Sequence, residues 1–171
     1  MKNQSIRFLV RSAMIAALYV ALTLVSAMLG MSSGAVQVRL SEALCVLPVF
    51  TTAAIPGVTI GCFIANLLTG GTIWDLTIGV SATLLGALLA WLGRRWKYLS
   101  SIPTILSNAL LIPPVLILAG FIPATAASYG VTILTVGLGE VLSCGGLGTL
   151  LVRYLDMHPK TVRKLFGEYT K

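Results

Sequence analysis

The sequence predicts an all-α integral membrane protein in which residues 1–171 form a single transmembrane domain. Of the 171 residues, 57% are apolar and only 10% are charged, and the mean hydropathy is +0.95. Six apolar segments, separated by polar, glycine or proline residues, fit a six-helix bundle. Their approximate bounds are 8–30, 40–52, 55–68, 76–93, 102–121 and 129–155, and a basic tail follows over 156–171.

The first three segments need separate arguments. The first resembles a signal peptide but exceeds the usual apolar core of about 7–15 residues, which predicts an uncleaved span. The second and third are shorter than the roughly 20 residues of a perpendicular span, and they meet at residues 53–57. They could be two short spans or one re-entrant hairpin, and both versions leave the termini on the same side.

The basic residues predict the orientation. If all six segments cross the membrane, eleven of the twelve lysines and arginines fall on one side, which the positive-inside rule makes cytoplasmic, together with both termini. Arg39 is the exception and lies on the outer side. Because the basic residues flank apolar segments, they indicate lipid contact and orientation, and nucleic-acid binding is not expected. The eleven are Lys2, Arg7, Arg11, Arg94, Arg95, Lys97, Arg153, Lys160, Arg163, Lys164 and Lys171.

Three carboxylates, Glu42, Asp75 and Glu140, lie in or at the rim of the apolar segments. A charge at the bilayer centre costs roughly 2.5–3.5 kcal/mol, so such groups usually belong to a binding pocket or an ion path. Structural alternatives exist for each. Glu42 could pair with Arg39 at i, i+3, Asp75 could cap a helix, and Glu140 could be protonated and buried.

Polar neighbours extend this candidate site. Asn66 and Trp74 are expected at the outer end near the carboxylates, although an aromatic residue at the interface is common without any ligand. Ser143 lies one turn after Glu140 on the same face. An ionised Glu140 would suit two adjacent N–H donors, such as those of a guanine-like ring, and Asn108 offers a donor and an acceptor.

Small residues predict close helix packing. Gly57 and Gly61 form a GxxxG pair suited to an internal helix contact. Ala13, Ala17 and Ala21 repeat every four residues along the first segment. This alanine stripe could pack inside the protein or serve as a docking face for a partner subunit.

The sequence lacks the common catalytic motifs. It contains no GxxxxGK[ST] loop, no HExxH and no GxSxG, so we expect no enzyme and no ATPase site in this chain, and ATP-driven transport would need separate ATPase subunits. Cys45, Cys62 and Cys144 have no metal-ligand spacing and are expected to be packing residues. His158 stands alone, so neither a metal site nor a cofactor is expected.

Five stretches of the sequence have a characteristic order and spacing. They are Val38-Arg39-Leu40-Ser41-Glu42-Ala43-Leu44 with Pro48, Ile60-Gly61-Cys62-Phe63-Ile64-Ala65-Asn66-Leu67-Leu68, Trp74-Asp75, Ser107-Asn108-Ala109 and Gly139-Glu140-Val141-Leu142-Ser143-Cys144. Together they resemble the QueT family, the substrate-binding S components of energy-coupling factor (ECF) transporters assigned to queuosine precursors. The resemblance implies a six-helix S component in a prokaryotic cell membrane, which docks through the alanine stripe on a transmembrane T subunit carrying two cytoplasmic ATPases.

The resemblance also implies a ligand class, the 7-deazaguanines: queuine, queuosine or an aminomethyl or cyano precursor. Glu140 would then bind the guanine-like edge, Asn66 or Asn108 would contact the ring carbonyl, and Trp74 would stack on the ring. Glu42 or Asp75 would meet a cationic amine, and Arg39 and Ser143 would complete the site.

Other functions remain open at this point. Related S components bind other solutes on the same architecture, and thiamine, a cation with an aminopyrimidine ring, is the main competitor. A stand-alone proton-coupled secondary transporter would use the three carboxylates as a relay. A membrane enzyme or a structural subunit is disfavoured by the missing motifs and by the buried carboxylates.

Overall fold

In the computed structural model, which describes residues 2–31 and 36–166, the chain is helical and the described part contains no strand. The prediction of an all-α protein is therefore confirmed. A 3₁₀ helix covers Leu40–Val49, a 3₁₀ turn covers Arg94–Leu99, and π-helical segments cover Asp75–Gly79 and Val141–Gly148. The α-helices are α1 (Lys2–Met28), α2 (Ala54–Leu68), α3 (Val80–Leu92), α4 (Ser101–Leu118), α5 (Ala126–Glu140), α6 (Thr149–Met157) and α7 (Pro159–Phe166).

Within residues 2–31 and 36–166, four helical stretches are long and apolar enough to cross a membrane, which makes this a multi-pass membrane protein. They are Gln4–Met28, Asp75–Leu92, Ser101–Leu118 and Ala126–Met157. The π-helical segments join their neighbours without a break, so Asp75–Gly79 leads into α3, and Val141–Gly148 connects α5 to α6. These stretches correspond to the first, fourth, fifth and sixth predicted segments.

The two shorter segments, the 3₁₀ helix Leu40–Val49 and α2, pack beside α1 and run in opposite directions. Leu40 at the start of the 3₁₀ helix donates its N–H to Ser26 Oγ at 2.9 Å, and Ser12 Oγ donates to the carbonyl of Ala53 at 3.0 Å. The fourteen residues from Ser12 to Ser26 cover about 21 Å of α-helix. Ten residues of 3₁₀ helix cover about 20 Å, so the tighter winding lets a short segment return along most of that distance.

The predicted GxxxG packing is confirmed at the contact between α1 and α2. A Cβ atom at Gly57 would lie 2.9 Å from Ile15 Cβ, and one at Gly61 would lie 2.7 Å from Tyr19 Cβ. Both distances are shorter than ordinary carbon contacts, so only glycine lets the two backbones approach this closely. Tyr19 is thereby held in the core at 1% exposure.

The C-terminal region differs from the predicted basic tail over 156–171. Helix α6 continues to Met157, and α7 follows as an amphipathic helix. Val162 of α7 is 1% exposed and joins the main apolar core. The tail was predicted as polar chain because charged residues dominate it, but one apolar face is enough to dock a short helix. Residues 167–171, with Lys171, lie outside the described part.

Candidate functional site

A small polar cavity lies among the 3₁₀ helix, α2, α3, α4 and α5. Its volume is about 40 Å³, little more than the roughly 30 Å³ share of one water molecule. Six of the eight predicted substrate-binding residues line it, whereas Trp74 and Ser143 do not. The lining residues are Gln37, Arg39, Glu42, Cys62, Asn66, Asp75, Gly79, Thr83, Asn108, Ile112, Val136 and Glu140.

A larger depression of about 490 Å³ adjoins this cavity. Gln37, Arg39, Asn66 and Asp75 line both spaces, so these four residues form the boundary between them. Typical small-molecule sites measure about 300–1,000 Å³. The cavity alone is too small for a bicyclic ring, but the cavity and the depression together fall within that range.

Glu140 and Asn108 form a buried polar pair in the site. Asn108 Nδ2 donates a hydrogen bond to Glu140 Oε1 at 2.7 Å, and the two residues are 4% and 9% exposed, respectively. Glu140 Oε2 and Asn108 Oδ1 are buried and have no hydrogen-bond partner in the described structure. Each unpaired buried acceptor costs about 1–3 kcal/mol. Both residues line the cavity, so a donor-bearing ligand bound there would bring partners close to these two acceptors.

The segment before the 3₁₀ helix is held against α5 by its backbone. The Arg39 N–H donates to Ser143 Oγ at 3.1 Å, and Ser143 Oγ donates to the Gly139 carbonyl at 2.9 Å. A Cβ atom at Gly139 would overlap the carbonyl oxygen of Gln37. Ser143, predicted to bind substrate, therefore lies where it positions Arg39, and Gly139 leaves room for Gln37.

The Arg39 guanidinium has few protein partners. Its Nη1 donates to Asn66 Oδ1 at a long 3.5 Å, and the described residues contain no ion pair between Arg39 and a carboxylate. The considered Arg39–Glu42 salt bridge is thus not formed. Asn66 Nδ2 donates to the Asp75 carbonyl at 3.2 Å and to Cys62 Sγ at 3.6 Å. Both amide protons of Asn66 are therefore engaged, whereas Arg39 keeps donors free for a ligand.

Glu42 is held by neighbours on both of its oxygens. The Tyr19 hydroxyl donates to Glu42 Oε1, and Cys45 Sγ donates to Oε2 at 3.2 Å. Thr23 Oγ1 donates to Ser41 Oγ at 2.8 Å in the same contact with α1. Glu42 is 2% exposed and is the carboxylate of the cavity with the most complete hydrogen bonding.

Asp75 takes part in capping the helix, but as the N3 residue of a motif whose N-cap is Thr72, and not as the N-cap considered from the sequence. Its Oδ2 accepts from Thr72 N at 2.8 Å and from Thr72 Oγ1 at 2.7 Å, and the Asp75 N–H points back to Thr72 Oγ1 at 3.4 Å. This reciprocal arrangement is a capping box. Asp75 nevertheless lines both the cavity and the depression, so the cap orients a carboxylate that also borders the site.

Two aspects of the site differ from the sequence-based prediction. Trp74 is 38% exposed and borders neither space, so its predicted stacking has no geometric support here. Gln37, Cys62 and Thr83 line the cavity but were not predicted as site residues. A polar residue two positions before Arg39 in extended backbone was the available signal for Gln37, because alternate side chains of an extended segment share a side.

Together, the helices and the enclosed cavity define a multi-pass membrane protein with a polar, charged pocket among its helices. Comparisons with known proteins then identify its family. A family model described as QueT transporter matches residues 9–157. This is most of the chain, so the protein belongs to the QueT family.

A curated relative supports the same assignment. Over 93 residues the chain is 39% identical to a protein named "Queuosine precursor transporter QueT" from Lactococcus lactis subsp. cremoris (strain MG1363). The matched region covers 52% of this chain and 54% of the relative, so it spans about half the length of that protein. No solved structure matches the chain.

Proposed function

We propose that this protein is the substrate-capture S component of an ECF-type importer and binds a queuosine-related 7-deazaguanine. Membership of the QueT family supports the substrate class, and the chain contains no ATP-hydrolysing P-loop. The observation that carries the proposal is the pair of unpartnered buried acceptors, Glu140 Oε2 and Asn108 Oδ1.

A guanine-type ring has the complementary edge. Its ring N–H and exocyclic amino group are adjacent donors, and a carbonyl acceptor lies beside them. Because an ionised carboxylate only accepts hydrogen bonds, Asn108 presents Nδ2 to Glu140 and its Oδ1 is left without a partner in the described structure. Two acceptors on the protein would then meet two donors on the ligand, and a charge-assisted contact makes the Glu140 bond the stronger.

This geometry changes the proposed partner of the ring carbonyl. Asn108 has an acceptor free, not a donor, and both amide protons of Asn66 already have acceptors. The Arg39 guanidinium keeps most of its five donors and borders the same cavity. We therefore assign the carbonyl to Arg39, with the Gln37 amide as the next donor on the cavity wall.

The charge of the cavity favours a ligand with an amine. Three carboxylates and one guanidinium line it, which gives a formal charge of −2 when all are ionised. Because Glu42 is already bonded on both oxygens, Asp75 at the boundary with the depression is the better partner for an aminomethyl group. The same negative charge makes thiamine the competitor to include in every binding experiment.

Ligand entry requires a local rearrangement. The ring can fill the space only when the boundary between cavity and depression opens, and the long Arg39–Asn66 contact of 3.5 Å is the weakest polar link there. We propose that the ligand replaces this contact, so that Arg39 exchanges Asn66 for the ring carbonyl. A ligand that supplies the acceptor offsets the lost bond.

The alanine stripe supports the proposed partner. Ala13, Ala17 and Ala21 are all exposed, while the opposite face of α1 buries Ile15 and Tyr19. Within the described residues the stripe is therefore not used for internal packing, which supports a docking face. We propose that it binds the T subunit of a module with two ATPase subunits, in a six-span arrangement with both termini cytoplasmic.

Reconstitution in liposomes tests this proposal against a stand-alone transporter. Labelled queuine uptake is measured with the chain alone, with the T subunit and ATPases, and with either system under an imposed proton gradient. We expect uptake only with the complete module and ATP. Uptake by the chain alone that follows the proton gradient would instead support a secondary transporter, and uptake of thiamine but not queuine would overturn the substrate.

A further inference from the structure

A second, apolar groove lies between α3 and α4, away from the polar cavity. Its volume is about 640 Å³, and its walls include Leu85, Leu89, Ile102, Leu106 and Leu110. The eight-residue step along α4 from Ile102 to Leu110 covers about 12 Å. One leaflet contributes about half of the roughly 30 Å hydrocarbon thickness, so the groove is nearly as long as one leaflet is deep.

The groove has a charged mouth. Trp96 and Leu99 of the turn between α3 and α4 line the groove and also line an adjoining depression of about 560 Å³. Arg95, Lys97 and Asp156 border that depression. The combined surface is therefore apolar along the helices and charged at one end, as a phospholipid is.

The turn at the mouth is fixed, and its arginines point outward. Lys97 Nζ pairs with Asp156 Oδ1 at 2.8 Å, which ties the turn to α6. Arg94 lies 5.0 Å from the centre of the Trp91 ring and is exposed. Arg95 is exposed and makes no hydrogen bond or ion pair with any residue in the described part of the chain. Arg94 Nη1 also donates to the Trp91 carbonyl at 3.3 Å, so Arg95, which borders the depression at the mouth, is the guanidinium without a partner among the described residues.

We propose that this groove binds one anionic phospholipid, with an acyl chain between α3 and α4 and its phosphate on Arg95 and Arg94. Guanidinium groups bind phosphate oxygens in a two-point geometry, and basic pockets beside transmembrane helices attract anionic headgroups. Trp96, at 72% exposure, suits the headgroup level. A charged mouth together with a long apolar groove suits a lipid better than a soluble anion, which would fill only the mouth.

Native mass spectrometry of the full chain in detergent tests this site. The probes are phosphatidylglycerol and phosphatidylcholine with identical palmitoyl and oleoyl chains. The double variant Arg94→Gln/Arg95→Gln removes the headgroup contact, and Arg163→Gln/Lys164→Gln removes two exposed charges from α7 as a matched control. We expect one tightly bound phosphatidylglycerol. Its affinity should fall about 5-fold for each of the two arginines removed and change less than about 2-fold in the control.

The groove itself is tested by Leu106→Trp, which fills it and keeps both arginines. We expect this variant to lose both lipids, while size-exclusion chromatography confirms that it remains monodisperse. Three results would overturn the proposal: equal binding of the two lipids to the unmodified chain, equal losses in the α7 control, or full lipid binding by Leu106→Trp. Displacement of the lipid by millimolar inorganic phosphate would likewise point to a soluble-anion site.

Discussion

Replacing Glu140 by glutamine tests the central contact of the site. The carboxylate accepts from Asn108 through Oε1 and leaves Oε2 free. A glutamine that keeps the Asn108 bond turns its amino group toward the ligand, where a donor faces donors. Hydrogen bonds to charged groups contribute about 1.5–3 kcal/mol, and each 1.4 kcal/mol changes Kd about tenfold. We therefore expect queuine affinity to fall by about 10- to 150-fold.

The stability of the empty protein supplies an independent readout. Glu140→Gln removes a buried carboxyl group with one unpaired oxygen, so the ligand-free thermal midpoint should stay equal or rise. Isothermal titration gives Kd, and differential scanning fluorimetry gives the midpoint. Asp156→Asn, which removes a carboxylate at the far end of the bundle, is the control and should leave Kd within about twofold. Unchanged queuine affinity and unchanged selectivity over adenine in Glu140→Gln would show that Glu140 does not bind the ring edge.

Two further substitutions change residues that support the site, and a third changes the alanine stripe. Gly139→Ala places a methyl group against the Gln37 carbonyl, and this overpacking should destabilise the local structure of the site by about 1–3 kcal/mol. Because Gln37 and Arg39 line the cavity, we expect weaker queuine binding, and an unchanged Kd would contradict this. Tyr19→Phe leaves Glu42 Oε1 without its donor and should lower stability by about 1–3 kcal/mol, measured as a lower thermal midpoint with queuine selectivity retained. Ala17→Leu should abolish co-purification with the T subunit but keep ligand binding, because the exposed stripe requires small side chains.

A matched control exists for the docking prediction. Ala127 is an exposed alanine on α5, outside the stripe. Ala127→Leu adds the same three carbon atoms and should leave co-purification intact. If both variants dissociate equally, added bulk alone explains the effect and the stripe has no special role.

Hydropathy predicted the helical segments well because each is a continuous apolar run. It did not predict their winding. The 3₁₀ helix at Leu40–Val49 and the π-helical segments at Asp75–Gly79 and Val141–Gly148 depend on local packing and hydrogen bonding, which composition does not report. These irregular segments begin beside or contain the three carboxylates of the cavity, and π-bulges occur frequently at functional sites.

Sequence alone predicted those site residues whose side chains are energetically unfavourable in the hydrocarbon core of a membrane. Carboxylates and Asn108 in apolar runs stand out, and the structure brings them into one cavity. Trp74 was predicted from its residue type and position, but aromatic residues are generally enriched at the membrane–water interface whether or not they bind a ligand. Gln37 was not predicted because its position depends on the close contact with Gly139. A contact between residues so far apart in the chain leaves no periodic pattern in the sequence.

Titration of the purified chain, without partners or ATP, is the most direct test of the proposed ligand class. Isothermal titration would compare queuine, queuosine, an aminomethyl-deazaguanine, guanine and thiamine. We expect tight binding of at least one deazaguanine, stronger than guanine or thiamine, because the two unpartnered acceptors and Arg39 match its edge while the carboxylates favour its amine. Absence of heat with every deazaguanine, together with binding of thiamine, would rule out a deazaguanine as the ligand.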